Sequence, residues 1–308
     1  MELNERAELD TSQVNDRGRG GGGGGGLGIP LPGGGGGRGG LIGIVVAVLV
    51  ALLGGGFGLN AMTNGDEGGG QAGGTDLEQL CSRDNPQRFD DLRCRNLAYV
   101  NSIQAYWQTA YPKLGNGKYE PTDTNYFQAA VNTGCGQADS GVGPFYCPAD
   151  RQVYIDLSFY EELASRFGAK GEFAQPYVLA HEYGHHIQNL LGTNEKAGQG
   201  DQSGPRSASV RLELQADCYA GAWAKHATET KDENGEEPLF KSITQTDITE
   251  ALNAAEAIGD DSIQERSGGQ VNPDSFTHGT SEQRQRWFQQ GHDSGDPKTC
   301  DTFGTDQL

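Results

Sequence analysis

The sequence has no pair of cysteines spaced Cys-x-x-Cys, although it contains six cysteines. This absence argues against a cysteine zinc site and against a thioredoxin-like redox motif. Because the number of cysteines is even, disulfide bonds outside the cytosol are the better interpretation. Many connectivities are open to six cysteines. We expect three pairs: Cys135 with Cys147, Cys218 with Cys300, and Cys81 with Cys94.

Positive charge is also scarce. The chain has 23 lysines and arginines against 42 aspartates and glutamates, which gives a formal net charge of −19. Proteins that bind nucleic acid neutralise phosphates with basic side chains, so this balance argues against a nucleic-acid partner. It is typical of a soluble, well-solvated domain.

Charged residues are missing altogether from 41–59, an apolar stretch of nineteen residues. At about 1.5 Å per residue it would span roughly 28 Å as a helix, close to the thickness of a bilayer core. A cleaved signal peptide is the alternative, but the stretch begins deep in the chain and no Ala-x-Ala-like site follows. Arg17, Arg19 and Arg38 precede it, and the next basic residue is Arg83. We therefore expect a single transmembrane helix with a cytoplasmic N-terminus and an extracytoplasmic C-terminal domain.

The remainder of the chain divides by composition. Residues 1–40 are polar and then rich in glycine, which predicts a disordered cytoplasmic segment. Residues 60–80 have the composition of a flexible linker. Residues 81–308 are long enough to bury a core and form the expected globular domain.

Hydrophobic periodicity predicts a mainly helical α+β domain. The two short apolar stretches 143–147 and 152–157 predict a small antiparallel sheet, to whose edge an extended substrate could add. An ordinary hairpin explains the same pattern equally well. The predicted helices cover 92–110, 159–167, 177–191, 210–228, 248–258 and 281–290.

A metal site is predicted at His181-Glu182-Tyr183-Gly184-His185, which has the pattern H-E-x-x-H within a helical stretch. Residues four apart share one face of a helix, so His181 and His185 can direct two imidazoles at one zinc ion. Glu182 lies about 100° around the helix, where a general base can contact water at that metal. The pattern also arises by chance on helices with two unrelated histidines. We expect Gly184 to permit close approach of a neighbouring backbone.

Acidic residues on the predicted helix 210–228 complete this site. A catalytic zinc needs three protein ligands, and Glu213 is the expected third ligand. Asp217, four residues later, is expected to accept a hydrogen bond from a ligand histidine. Asp217, His226 and His278 remain alternatives as third ligand, and His226 lies on the far side of this helix from both acids. The alternative is a pair of carboxylates on a solvated face, but the neighbouring residues are mostly apolar and indicate a buried helix, where unpaired carboxylates are costly.

The combination of H-E-x-x-H with Glu213-Leu-Gln-Ala-Asp217 resembles the gluzincin arrangement. More closely, the chain resembles the putative neutral zinc metallopeptidase family of bacterial membrane-anchored proteins. The resemblance covers essentially the whole chain, including the glycine-rich N-terminal segment, and implies a zinc-dependent peptidase with a zincin-like fold. The matching stretches are 143–150, 154–159, 181–188, 213–218 and 276–281.

His278 is a further candidate, because it follows Thr277 directly before a predicted helix. Prenyl-protease and heat-shock-protease types of gluzincin carry a similar Thr-His-Pro segment, with Gly279 replacing the proline here. A histidine entering the cleft could stabilise an oxyanion, as could Tyr183, whereas a structural histidine at a helix start is the alternative. His186, which follows the metal-site pattern directly, is expected to pack behind the site. His226 and His292 are expected at the surface.

The predicted activity is zinc-assisted hydrolysis of peptide bonds, with a protein or peptide as substrate. Two other functions fit the same residues. One is an inactive membrane-tethered binding protein that retains a structural zinc, although Glu182 has no role in such a site. The other is a zinc hydrolase that acts on a non-peptide bond.

Overall fold

The computed structural model describes residues 1–19, 74–115 and 117–308. The predicted membrane segment 41–59 and most of the expected linker lie outside this part of the chain. The described residues form an α+β fold with the following helices: α1 Gly74–Leu80, α2 Leu92–Ala110, α3 Phe159–Ser165, α4 Ala174–Leu191, α5 Thr193–Ala197, α6 Ala208–His226, α7 Gln245–Ala257, α8 Asp260–Arg266 and α9 Ser281–Ser294.

Within the described ranges, the strands form one four-stranded sheet and two small two-stranded ribbons. Their bounds are β1 Glu2–Leu3, β2 Val14–Arg19, β3 Thr124–Gln128, β4 Ala130–Thr133, β5 Gly136–Asp139, β6 Phe145–Cys147, β7 Gln152–Asp156 and β8 Phe240–Ser242. The sheet has the order β2-β3-β7-β6, and the ribbons are β1-β8 and β4-β5. The β6–β7 pair is antiparallel as predicted, but β2, β3 and β7 run parallel, so the sheet is mixed.

Residues 1–19 are part of the folded domain, and the expectation of disorder is wrong for them. β2 lies beside β3, with Val14 opposite Thr124. The buried guanidinium of Arg88 donates hydrogen bonds to the backbone oxygens of Glu5 and Ala7. The prediction of disorder rested on the composition of 1–40, which the glycine runs dominate. Backbone pairing of the kind seen in 1–19 needs no long apolar stretch, so the composition did not reveal it.

The same contacts correct the predicted single-pass topology. That prediction placed the N-terminus and the C-terminal domain on opposite sides of a membrane. Instead, β1 pairs with β8, and β2 pairs with β3, so chain from both flanks of 41–59 lies in one domain. No helix in the described ranges combines the length and apolar character needed to cross a bilayer. The expected linker also ends earlier than predicted, because α1 begins at Gly74.

Helix α4 occupies the centre of the fold. It contacts β6 and β7 on one side and α6 on the other, and α9 packs on α6. The α4–α6 crossing is close at Gly184, where an added Cβ would lie 2.9 Å from Ala216 Cα and 3.1 Å from Ala216 O. The absence of a side chain at Gly184 therefore sets the spacing between the two helices, as the sequence predicted.

Replacing Gly184 by alanine should destabilise the protein. The alanine gains about 1 kcal/mol of helix propensity, but overpacking a closed core costs about 1–3 kcal/mol. We expect a net loss of up to about 2 kcal/mol in the free energy of unfolding, measured by chemical denaturation. Gly198→Ala is the matched control, because a Cβ there meets only ordinary contacts at 3.5 Å. Equal stability of Gly184→Ala and wild type would contradict this account of the crossing.

All six cysteines are paired in the expected connectivity. The bonds join Cys81 to Cys94, Cys135 to Cys147, and Cys218 to Cys300. The third bond fixes the middle of α6 to the C-terminal segment, across a sequence separation of 82 residues. It thereby helps to hold the helix that carries the predicted acidic residues.

Candidate metal centre

Three side chains from α4 and α6 meet at one buried point. His181 and His185 lie one turn apart on α4, and Glu213 faces them from α6. His181 Nε2 is 3.1 Å from Glu213 Oε2, and His185 Nε2 is 3.4 Å from Glu213 Oε1. One ligand atom from each residue lies within 4.8 Å of the others. These are the three residues that the sequence predicted as ligands.

Hydrogen bonds on the far side of each ring define the tautomers. His181 Nδ1 lies 2.8 Å from Asp217 Oδ1, and an ionised carboxylate can only accept, so Nδ1 carries the proton. His185 Nδ1 lies 2.9 Å from Gln188 Oε1. The amide of Gln188 is itself oriented, because its Nε2 donates to the backbone oxygen of Leu212 at 2.6 Å. In the neutral rings, both Nε2 lone pairs therefore point towards Glu213.

With both rings neutral, the three side chains present only hydrogen-bond acceptors to one another. His185 Nε2 and Glu213 Oε1 are both buried and lack a hydrogen-bond partner among the described residues. Burying polar atoms without a partner is costly, and a cation between them would satisfy both. Two imidazole nitrogens and a carboxylate are also the ligand set of one class of catalytic zinc sites, which leave a fourth position open. The residues present thus fit a zinc ion.

The same contacts shift the pKa values of the three ligand residues. Burial alone would lower the pKa of His181, but Asp217 and Glu213 raise it to about 10. Burial lowers the pKa of His185 to about 4. Burial would raise the pKa of Glu213, but His278, His185 and His181 hold it below its usual value. The carboxylates of Asp217 and Glu213 therefore favour positive charge at this point, which a bound cation can supply.

Arg284 on α9 holds Asp217 in position. Its Nε donates to Asp217 Oδ2 at 2.8 Å and its Nη2 to Asp217 Oδ1 at 2.9 Å. The Tyr177 hydroxyl donates to the same Oδ1 at 2.7 Å. Burial would raise the pKa of Asp217, yet Arg284 and His181 keep it below its usual value. An ionised Asp217 is therefore available to orient His181, as the sequence predicted for this residue.

Glu182 lies beside the three ligand residues. Its Oε2 accepts a 2.9 Å hydrogen bond from the backbone N–H of Tyr146 on β6. Its Oε1 has no hydrogen bond within the described part of the chain, and Glu182 lines a cavity with His181, Glu213 and His278. Burial raises the pKa of Glu182 to about 8. The carboxyl group is thus fixed at one oxygen and free to exchange a proton at the other.

His278 reaches the same cavity from the loop before α9. Asp260 accepts backbone N–H bonds from Thr277, His278 and Gly279 at 2.7, 2.7 and 3.0 Å. Its Oδ1 also lies 3.4 Å from His278 Nδ1. Asp260 therefore fixes the backbone before α9, and the ring of His278 is held both by Asp260 and by the Thr277 hydroxyl, which lies 2.9 Å from Nδ1. The following helix begins at a capping box formed by Thr280 and Gln283.

The other sequence candidates lie elsewhere. His186 contacts the Tyr146 hydroxyl at 3.1 Å and the Glu120 backbone oxygen at 2.7 Å, so it packs behind the site. His226 contacts Glu229 and the Gly295 backbone oxygen near the end of α6. The Tyr183 hydroxyl is bonded to Thr124 at 2.9 Å. Tyr183 is therefore directed at the sheet, and its candidacy as an oxyanion donor is wrong.

Three supporting residues were missed in the sequence: Gln188, Asp260 and Arg284. Arg284 carried a usable signal, since it precedes the buried residues Trp287 and Phe288 by three and four positions on one helix face. An arginine on a buried face needs a partner, which Asp217 supplies. Gln188 also carried a local signal, since it lies three residues after His185 on the same helix. Asp260 carried none, because its partners are the backbone and ring of a segment that lies 17–19 residues later in the chain.

Comparison with known proteins agrees with the resemblance noted above. A family model described as "Putative neutral zinc metallopeptidase" matches residues 1–303. An uncharacterized protein of Mycobacterium tuberculosis is 46% identical over 238 residues, which is 77% of this chain and 78% of that protein. The uncharacterized protein YpfJ of Escherichia coli K12 is 43% identical over 272 residues, or 87% of each chain. No solved structure gives a significant match.

Proposed function

The chain belongs to the putative neutral zinc metallopeptidase family, and we propose that it is an active zinc-dependent peptidase. In this proposal His181, His185 and Glu213 bind the metal, and Glu182 is the general base. The observation that carries it is the convergence of two imidazole lone pairs and a carboxylate at a buried point where His185 Nε2 and Glu213 Oε1 have no partner. A general base stands beside that point.

Zinc at such a site supplies Lewis-acid chemistry, because it polarises a carbonyl group and makes water more acidic. Glu182 then accepts a proton from water at Oε1 while the Tyr146 N–H holds Oε2. The water oxygen bonds to the scissile carbonyl carbon, the C–N bond breaks, and Glu182 passes its proton to the leaving amine. Asp217 keeps His181 in the tautomer that presents Nε2 to the metal.

His278 is the proposed stabiliser of the oxyanion. It shares the cavity with Glu182 and is held by Asp260, which in turn is fixed by three backbone N–H groups. A preorganised donor at the place where negative charge develops lowers the barrier without any reorganisation during the reaction. Asp260 acts through His278 and is a positioning residue.

A peptide is the proposed substrate because the cavity borders an edge strand. β6 is the last strand of the sheet order β2-β3-β7-β6. In the antiparallel β6–β7 pair, the N–H of Tyr146 is used by Glu182 rather than by β7. The backbone carbonyl of Tyr146 therefore also points away from β7, to the outer edge of the sheet. An extended peptide can pair with this edge and lay its backbone across the cavity.

The two other candidate functions are less well supported. A purely structural zinc site normally has four protein ligands, whereas the cluster in the described residues has three. Such a site also gives no reason for a general base at Glu182. A small-molecule zinc hydrolase would not need an edge strand beside its metal site.

Metal analysis and a peptide digest test the proposal together. The purified protein should contain about one zinc per chain, and it should cleave a mixed peptide library. A chelator should stop cleavage because it removes the zinc that polarises the scissile carbonyl. Added zinc should restore cleavage. The Glu182→Gln variant purified in the same way controls for contaminating peptidases. A zinc-loaded protein that leaves every peptide intact would overturn the proposed activity.

A further inference from the structure

The cavity at the metal centre continues into an apolar recess. Five of its lining side chains are apolar and only partly buried, so each leaves part of its surface open to the cavity, although four of them also pack against the hydrophobic core. They come from the loop before β6, from α3 and the chain after it, and from the region of α7 and α8. These residues are Val142, Phe159, Phe167, Ile258 and Ile263.

The charged groups of this cavity lie at the proposed metal centre or directly behind it. Arg284 gives Nε and Nη2 to Asp217, and its Nη1 lies 3.3 Å from the Ile258 backbone oxygen. Glu182 and Glu213 belong to the catalytic end of the cavity. A charged side chain entering the recess would lose its hydration against the five apolar walls, which offer no hydrogen-bond partner.

The volume limits what can enter. The cavity measures about 90 Å³, whereas sites for whole small molecules are about 300–1,000 Å³. It therefore suits one side chain of a larger substrate whose backbone stays outside. The same cavity includes Glu182 and His278, so an occupant sits next to the reacting bond.

The geometry points to a specificity pocket that takes one uncharged apolar side chain, of the leucine class, adjacent to the scissile bond. This inference rests on the proposed peptidase function and adds the substrate class to it. The enzyme selects peptides with an apolar residue at one position beside the cleaved bond. Charged residues at that position are rejected.

A charge placed in the recess should change this selectivity. Ile263 lies on α8, lines the recess and is not one of the three clustered ligand residues, so Ile263→Glu changes the recess wall and leaves the ligands in place. The probes are two blocked peptides, acetyl-Gly-Gly-X-Gly-Gly-amide, with leucine or lysine as X. The readout is the ratio of kcat/KM for the two peptides within one variant. General effects on zinc affinity or on Glu182 cancel in that ratio.

The wild type should favour the leucine peptide by about 100-fold or more, and Ile263→Glu should reduce the ratio by about 10-fold or more. Val271→Glu is the matched control, because Val271 is 38% exposed and does not line the cavity. It carries the same charge change and should keep the wild-type ratio. Equal cleavage of both peptides, or a ratio unchanged in Ile263→Glu, would overturn the pocket while leaving the peptidase assignment intact.

A binding measurement separates the two proposals. Calorimetry on zinc-loaded Glu182→Gln protein reports the affinity for each peptide without turnover, and the Ile263→Glu change is then added. Preferential binding of the leucine peptide that this change weakens would support the pocket even if the wild type cleaved nothing. Absence of binding together with absence of cleavage would overturn both the pocket and the peptidase.

Discussion

Glu182→Gln is expected to abolish peptide hydrolysis and to leave the zinc content at the wild-type value. Glutamine has the shape of glutamate and can still accept the N–H of Tyr146, so the packing around this buried side chain is preserved. Its amide cannot take a proton from water or return one to the leaving amine. General base catalysis contributes about 10²- to 10⁴-fold to such reactions, and we expect kcat to fall within or beyond that range. Since Glu182 is not among the three clustered ligands, metal binding should survive.

The measurement pairs initial rates on a cleaved peptide with zinc analysis of the same sample. Glu161→Gln is the matched control, because it removes a carboxylate from the exposed face of α3. It should retain full activity and full zinc content. Turnover near the wild-type rate in Glu182→Gln would remove Glu182 from the mechanism. Loss of zinc would instead make it part of the metal site.

The ligand residues were predictable because helix geometry connects them over short distances. His181 and His185 lie one turn apart, and their relation holds wherever the helix is placed. Glu213 required a further assumption, that α6 turns its acidic face to α4. The buried apolar residues around Glu213 supported that assumption, since an unpaired carboxylate on a buried helix is costly. Gly184 indicated where a second helix could approach α4 closely, and in the structure Ala216 of α6 lies at that point.

The parallel part of the sheet was not predictable in the same way. β3 buries Thr124 and Asn125, so its sequence has neither the alternation nor the apolar run of a typical strand. The Asn125 side chain is instead satisfied by Gln152 and by the Val153 backbone oxygen on β7. A polar strand of this kind is stable only once its neighbours are in place. Sequence periodicity cannot report partners that lie so far away along the chain.

The N-terminal strand β2 was also not predictable from the periodicity of its sequence. β2 carries charged and polar residues, and its partner β3 lies more than one hundred positions later. The Arg17 Nε–H donates to the Asn125 side chain at 2.8 Å. The positive-inside rule counts Arg17 as a basic residue flanking a membrane segment. In the structure it is a contact between sheet strands, which is why the charge rule gave the wrong topology.

Glu213→Ala should remove most of the zinc affinity, more than any change behind the ligands. The substitution deletes one of three ligands and leaves the lone pairs of His181 and His185 facing an empty volume. It also removes the carboxylate that favours a positive charge at this point. Glu213→Gln keeps the volume and one acceptor oxygen, so it separates loss of the ligand charge from loss of packing. Both variants should be examined by metal titration and by denaturation, so that an unfolded protein is not counted as a metal-free one.

Asp217 provides the informative comparison. Asp217→Asn should weaken zinc binding by about 10- to 100-fold, because the amide orients His181 less well than an ionised carboxylate. The alanine change is unsuitable here: it leaves the buried Arg284 without its partner, a loss that destabilises proteins by about 3–5 kcal/mol. His278→Ala should keep the metal and lower kcat. If zinc instead survives Glu213→Ala and is lost in His278→Ala, the centre is a three-histidine site and the ligand assignment is wrong.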